Sequence, residues 1–168
     1  TLSESMLHKS GAINRLGTVE EKNTVSDYDD EEKNRQCSIY SSLMHASWGG
    51  KTINIIDSPG YPDFIGPALL SIPAAETALV VVSAAAGIEL NTRKLFEAAT
   101  DNKLARIVVV NKMDAENIDL VEIVNSIRET FGPQCRCINL PTEDKGGVID
   151  CLMNEEGASP IMDIAQAH

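Results

Sequence analysis

Basic side chains are scarce. Fourteen Lys and Arg stand against 25 Asp and Glu, a formal net charge of −11 over 168 residues. This argues against a broad nucleic-acid footprint, which requires a basic face, yet leaves room for contact with a ribonucleoprotein through a few residues. Long apolar runs are also missing: the longest, around Ala78 to Ile88, is too short to span a bilayer and contains Ser83 and Gly87. No membrane partner is therefore expected. The amino terminus lacks the charged n-region and apolar h-region of a secretory signal. The four cysteines, Cys37, Cys135, Cys137 and Cys151, lack C-x₂-C spacing, and no histidine lies near Cys135 and Cys137 in sequence. They read as free thiols in a reducing cytoplasm, with metal binding a remote alternative.

A complete phosphate loop is absent as well. Gly50-Lys51-Thr52 resembles the end of G-x-x-x-x-G-K-[ST], but the leading glycine falls on His45, and a β-like run follows in place of the required helix. Gly49 and Gly50 are better explained as a hairpin turn. The helical spacing of Leu2, Met6 and Leu7 starts at the first residue, as though its preceding loop had been cut off. The economical expectation is a fragment lacking the phosphate loop and first strand, since an absent strand would otherwise leave a hole beside an apolar helix face.

What is present is an ordinary globular composition, 43% apolar and 23% charged, in a chain sized for one domain. Periodicity predicts a helix over 2–9, then an acidic stretch from Gly17 to Asn34 that reads as a solvated, mobile loop. A strand over 37–47 and another over 51–56 flank the Gly49-Gly50 turn. A helix limited by Pro67 and Pro73 follows over 64–75, then an uninterrupted buried strand over 77–83. An amphipathic helix over 90–102 has Leu95, Ala98 and Ala99 inward; a strand over 106–110 and a helix over 120–131 complete the alternation. After Pro133 the pattern changes to short β-like pieces over 136–140 and 147–152 and a polar tail. The expected fold class is α/β: a doubly wound, mostly parallel sheet, incomplete at the N-terminus. A boundary is expected near residue 134, with residues 1–134 as the main domain and 135–168 as the start of a small subdomain.

Ligands of such sheets bind outside the carboxyl ends of the strands, and two motifs fall there. Asn111-Lys112-Met113-Asp114 ends the apolar run Arg106–Val110. Asp114 would accept hydrogen bonds from the N1–H and N2–H₂ edge of guanine, Asn111 would brace the neighbouring loop, and the stem of Lys112 would cover a ring face. Asp57-Ser58-Pro59-Gly60 follows the strand Thr52–Ile56 and suits Mg²⁺ and phosphate. The plainer reading is two polar turns, since Asn, Asp, Pro and Gly are ordinary turn residues. Together the motifs point to a GTPase in which Asp57 and Asp114 face one pocket.

The stretches Ser10–Gly17, Ser26–Asp29, Asn54–Phe64, Ala78–Gly87 and Ile107–Asn117 resemble the GTPase domain of translation elongation factor G, most closely its divergent elongation factor G-like branch. The similarity runs from Thr1 to Phe131. A weaker one, at Asn139–Glu143 and Gly146–Asp150, resembles the start of the family's insert. The resemblance implies binding of GTP and GDP with Mg²⁺, and a ribosome partner for the complete protein. It assigns Mg²⁺ to Asp57, with Ser38 in place of the switch threonine; the γ-phosphate to the Gly60 N–H; and guanine to Asn111, Lys112 and Asp114. Tyr61 stands where the family has the histidine that orients the attacking water. A phenol, with an ordinary pKa of about 10, is a poor general base at neutral pH, so slow or differently triggered hydrolysis is expected. Gln36 and Cys37 replace a glycine and an isoleucine of the switch. Two other readings remain: a nucleotide switch with little hydrolysis, and a nucleotide-free interaction domain.

Overall fold

The computed structural model describes residues 2–142 and 147–153; Thr1 and the polar tail expected at the end lie outside the described residues. The elements are α1 (Leu2–Lys9), α2 (Asp30–Arg35), β1 (Ser42–Trp48), β2 (Lys51–Asp57), α3 (Ile65–Ser71), β3 (Thr77–Ser83), α4 (Leu90–Asp101), β4 (Ala105–Asn111), α5 (Leu120–Phe131), β5 (Asn139–Pro141) and β6 (Val148–Asp150). Short 3₁₀ turns at Pro62–Phe64 and Ile72–Ala74 flank α3, each with a proline in its first two positions, where the missing N–H costs nothing.

The class is mixed α/β, as the alternation predicts. The anticipated single sheet is instead three two-stranded pieces among the described residues: β1–β2, β3–β4 and β5–β6. β1 and β2 form an antiparallel hairpin with Trp48 opposite Lys51 and Ser42 opposite Asp57. Its turn places Gly49 and Gly50 at φ 56° and 75°, a left-handed pair that glycine adopts without penalty. β3 and β4 run parallel, joined through α4. Ala105 N–H donates to the Glu76 carbonyl (3.0 Å) at one end, and Ala84 N–H to the Asn111 carbonyl (2.8 Å) at the other.

The chain divides into two compact units, Thr1–Ala78 with Glu97–Ala105, and Leu79–Phe96 with Arg106–His168. In the first, Leu7 of α1 packs on Met44 and Ala46 of β1, with Ile13 and Ile55 against them. β1 alternates strictly, with Ser42, Met44 and Ala46 buried and Leu43, His45 and Ser47 exposed, the period-two signature of a strand covered on one face. In the second, the rings of Phe96 and Phe131 stack with centroids 4.1 Å apart. Ile127 joins them, and Val80, Val108, Val110 and Ile123 pack around.

Three expectations are corrected. β3 is a strand but not a fully buried one: Val82 is 1% exposed, whereas Leu79 and Val81 are each 43% exposed. A strand reads as wholly buried only when both faces are covered, and β4 is its one strand neighbour among the described residues. Residues Cys37 to Ser41 lie outside β1, because the amides of Ile39 and Tyr40 donate to the Glu32 carboxylate (2.9 and 3.0 Å) rather than to a ladder. The acidic stretch from Gly17 to Asn34 is not merely a solvated loop. It folds around two buried carboxylates: Glu4 accepts from the Gly17 N–H (3.0 Å) and Val25 N–H (2.9 Å), and Glu32 anchors α2. Hydrogen bonds to a charged acceptor offset the desolvation that otherwise keeps carboxylates at the surface.

Candidate nucleotide site

In the first unit, β2 ends at Asp57, whose Oδ2 accepts a 2.6 Å hydrogen bond from the Ser3 hydroxyl of α1. This fixes the carboxylate against the start of the first helix. Pro59 is fully buried and pins the turn. Gly60 has a φ outside the left-handed region, and a Cβ built on it meets no atom within 4 Å. Neither a left-handed backbone nor neighbouring atoms of this chain require glycine here, and the space that a Cβ would occupy is open. Tyr61 is 60% exposed and caps the Pro62–Phe64 turn, its carbonyl accepting from the Phe64 N–H (3.0 Å).

Ser38 belongs to the same unit. Its hydroxyl donates to Asp27 Oδ1 at 2.7 Å, and Asp27 is 6% exposed. The Thr24 and Ser26 hydroxyls approach the same carboxylate at 3.3 and 3.4 Å. Just upstream, Gln36 adopts a left-handed φ of 54° as the C-cap of α2, a conformation that glycine takes freely and that costs an L-residue about 1–2 kcal/mol.

In the second unit, β4 delivers Asn111 into a tight turn. The Asn111 Oδ1 accepts from the Lys112 N–H (2.9 Å), Lys112 has a φ of 59°, and the Ala115 N–H closes back on the Lys112 carbonyl (3.3 Å). A left-handed non-glycine residue is strain of the kind concentrated at functional turns. The end of β3 is tied to the same place. Ala84 bonds the Asn111 carbonyl, and the Gly87 N–H returns to the Ser83 carbonyl (2.8 Å), with Gly87 at φ 71°. Asn111 and Lys112 thereby line a depression of ≈ 310 Å³ together with Ser83, Gly87 and Thr92. Asp114 is exposed in the turn that follows.

The donors at the first half are oxygens only, the Asp57 carboxylate and the Ser38 hydroxyl, which suits a hard cation such as Mg²⁺. Among the described residues no group of three or more His, Cys, Asp or Glu side chains could hold a metal ion. Oxygens of this kind would suit Mg²⁺ only in a site where phosphate and water supply most of the ligands and the protein one or two. The four cysteines are free; burial pushes the Cys135, Cys137 and Cys151 thiols up from their ordinary value. No helix among the described residues is long and apolar enough to cross a membrane.

Sequence reasoning missed Ser3, Asp27 and Glu32. One signal was legible: Asp29-x-x-Glu32 has capping-box spacing, and Asp29 does cap α2 with Glu32 reaching back to its N–H.

Strand-end turns on a parallel βαβ unit mark an α/β protein of the class that binds ligands outside the carboxyl ends of its strands. The chain belongs to the elongation factor Tu GTP-binding domain family, whose model matches residues 1–165. Among its relatives it is 36% identical over 149 residues to the mitochondrial ribosome-releasing factor 2 of Drosophila persimilis, covering 89% of this chain and 20% of that protein. It is 35% identical over 153 residues to elongation factor G 2 of Streptomyces coelicolor, covering 89% and 22%. A crystal structure of a Thermus thermophilus protein superposes with a TM-score of 0.83 at 36% identity, covering 89% of this chain and 23% of the other. The chain thus spans about a fifth of the length of the curated relatives it matches.

Proposed function

We propose that this chain is the nucleotide-binding part of a translational GTPase of the elongation factor G and ribosome-releasing factor kind. It would bind Mg·GTP and, within the complete protein, couple hydrolysis to engagement with the ribosome. The observation that carries the reading is the Asn111–Asp114 turn: a left-handed Lys112, an Asn111 braced on its own backbone, and a β3 end tied to the same carbonyl. That turn leaves Asp114 exposed to read the guanine edge. In this reading Asp57 holds Mg²⁺ through water and Ser38 exchanges Asp27 for the metal. The Gly60 N–H meets the γ-phosphate, making the loop sensitive to its presence. Tyr61 lies where attacking water is oriented, and catalysis rests on positioning and charge stabilisation rather than on a strong base. Residues 1–134 serve as the GTPase part and 135–168 as the start of an insert. The β5–β6 hairpin after the Gly132 cap supports that boundary. A cytoplasmic setting suits the free thiols; the mitochondrial relatives make an organelle the alternative.

The test uses the full-length protein. Mg²⁺-dependent binding should be displaced by GTP and GDP but not by ATP, and turnover should rise on adding ribosomes. Equal displacement by ATP would remove the guanine reading, and ribosome-independent turnover would remove the coupling. A second reading, a switch with little hydrolysis, is favoured by Tyr61 and by the strained Gln36. It predicts tight GTP binding with negligible turnover even in the presence of ribosomes. These 168 residues alone should bind GTP poorly, because they contain no G-x-x-x-x-G-K-[ST] motif, the loop that supplies most N–H contacts to the phosphates and the essential lysine.

A further inference from the structure

Glu32 is 0% exposed, and its acceptors converge on the segment around Ser38. Its backbone carbonyl accepts from the Gln36 N–H, which ends α2, and from the Cys37 N–H at 3.2 Å. Its Oε1 accepts from the Ile39 and Tyr40 N–H groups at 2.9 and 3.0 Å. Its Oε2 accepts from the Asp29 N–H at 3.3 Å. One residue therefore grips the chain immediately before and immediately after Ser38, and ties both grips to the N-cap of its own helix. The Ser38 backbone is left spanning between two fixed points, while its hydroxyl turns on Asp27.

A fully buried carboxylate is expensive unless its oxygens are satisfied, and no buried side-chain oxygen or nitrogen among the described residues lacks a partner. A helix of six residues is too short to hold its shape by propensity alone. An apolar side chain would cover the same space without organising the amides at 39 and 40. The charge at position 32 is therefore directed at backbone N–H groups beyond the helix, which a capping box alone does not require.

We propose that Glu32 is the positioning residue of the switch. It sets the backbone on both sides of Ser38, so that the serine hydroxyl can pass between Asp27 and a nucleotide-bound Mg²⁺ without the segment unravelling. This rests on the reading of Ser38 as a metal ligand in the GTP state. Glu32 touches neither metal nor nucleotide; it acts through Ser38. Replacing it therefore weakens the triphosphate state selectively, because only that state uses the Ser38–metal contact.

The experiment measures, on the full-length protein with Mg²⁺, the affinities for GDP and for a non-hydrolysable GTP analogue. The variants are Ser38→Ala, Glu32→Gln and the double variant. Glu32→Gln keeps the shape but weakens the charged acceptor and sets an NH₂ against an N–H. It should lower analogue affinity relative to GDP by about five- to tenfold, from the difference between charged and neutral acceptors. The double variant should match Ser38→Ala, because residues acting through one another are non-additive. Equal loss of analogue and GDP affinity, or full additivity in the double variant, would overturn the proposal as a merely structural role. If Ser38→Ala leaves the ratio unmoved, the ligand reading of Ser38 falls first and takes the inference with it. If Ser38→Ala lowers the ratio and Glu32→Gln does not, the inference alone falls. Should Glu32→Gln fail to fold, Glu32→Asp, which keeps the charge but withdraws it by one methylene, is read by the same outcomes.

Discussion

Replacing Gly60 with alanine separates the needs of the fold from those of the ligand. A methyl at this position meets no atom within 4 Å, and Gly60 is not among the residues with positive φ. Gly60→Ala should therefore leave the folded state unstrained. By restricting the unfolded chain it should stabilise by about 0.4–1 kcal/mol. Nucleotide binding should respond in the opposite sense. Alanine keeps the N–H, but in the proposed site its methyl would stand in the space through which the γ-phosphate approaches; forfeiting that hydrogen bond to a charged group would cost about 1.5–3 kcal/mol, or roughly ten- to hundredfold in affinity. The full-length variant should thus show an unfolding midpoint in denaturant equal to or above that of the parent, and a loss of that size for a non-hydrolysable GTP analogue. GDP, which has no γ-phosphate, should bind nearly unchanged. A lowered midpoint with both nucleotides bound normally would refute the reasoning, because the glycine would then serve the fold.

Gly17→Ala is the converse case. Its Cβ would stand 2.5 Å from the Asn23 carbonyl oxygen and 2.7 Å from Glu4 Oε1, displacing the carboxylate that holds Gly17 and Val25. We expect a loss of about 1–3 kcal/mol from overpacking, read from denaturant midpoints; a change below about 0.5 kcal/mol would contradict it. Gln36→Gly should relieve the left-handed cap, recovering about 1–2 kcal/mol of backbone strain against about 0.5–1 kcal/mol of added chain entropy. The net is a small rise in stability, and a fall in the same measurement would show that the Gln36 side chain contributes more than its backbone costs. Burial raises the Cys135 and Cys137 thiols. A raised pKa means less thiolate at any given pH, so alkylation near pH 7 should be slow and should accelerate only above the ordinary thiol range. Rapid labelling of either at neutral pH would overturn this.

Much of the architecture was legible because local chemistry and global position agree. α1 and α5 appear over the residues their apolar spacing indicates, α5 ending before Gly132. The Gly49-Gly50 turn forms where two glycines separate β-like runs, and both motifs follow the strands that their apolar runs marked. What stayed hidden depends on partners distant in sequence. Glu4 and Glu32 look like ordinary surface acids until backbone N–H groups 13 and 21 residues from Glu4, and 7 and 8 from Glu32, are seen to converge on them. Composition marks the stretch after Gly17 as solvated for the same reason. Likewise the Val- and Leu-rich run of β3 reads as buried throughout, and its exposed Leu79 and Val81 emerge only from which face is covered. Ser3 joins the site only through its bond to Asp57, 54 residues away, a pairing that no local pattern announces.

The most direct test of the central claim is a competition between GTP and xanthosine triphosphate for the full-length protein and its Asp114→Asn variant. An amide at this position donates where the carboxylate accepted, so preference should turn from guanine to xanthine while dependence on Mg²⁺ persists. An unchanged preference for guanine would show that Asp114 does not read the base.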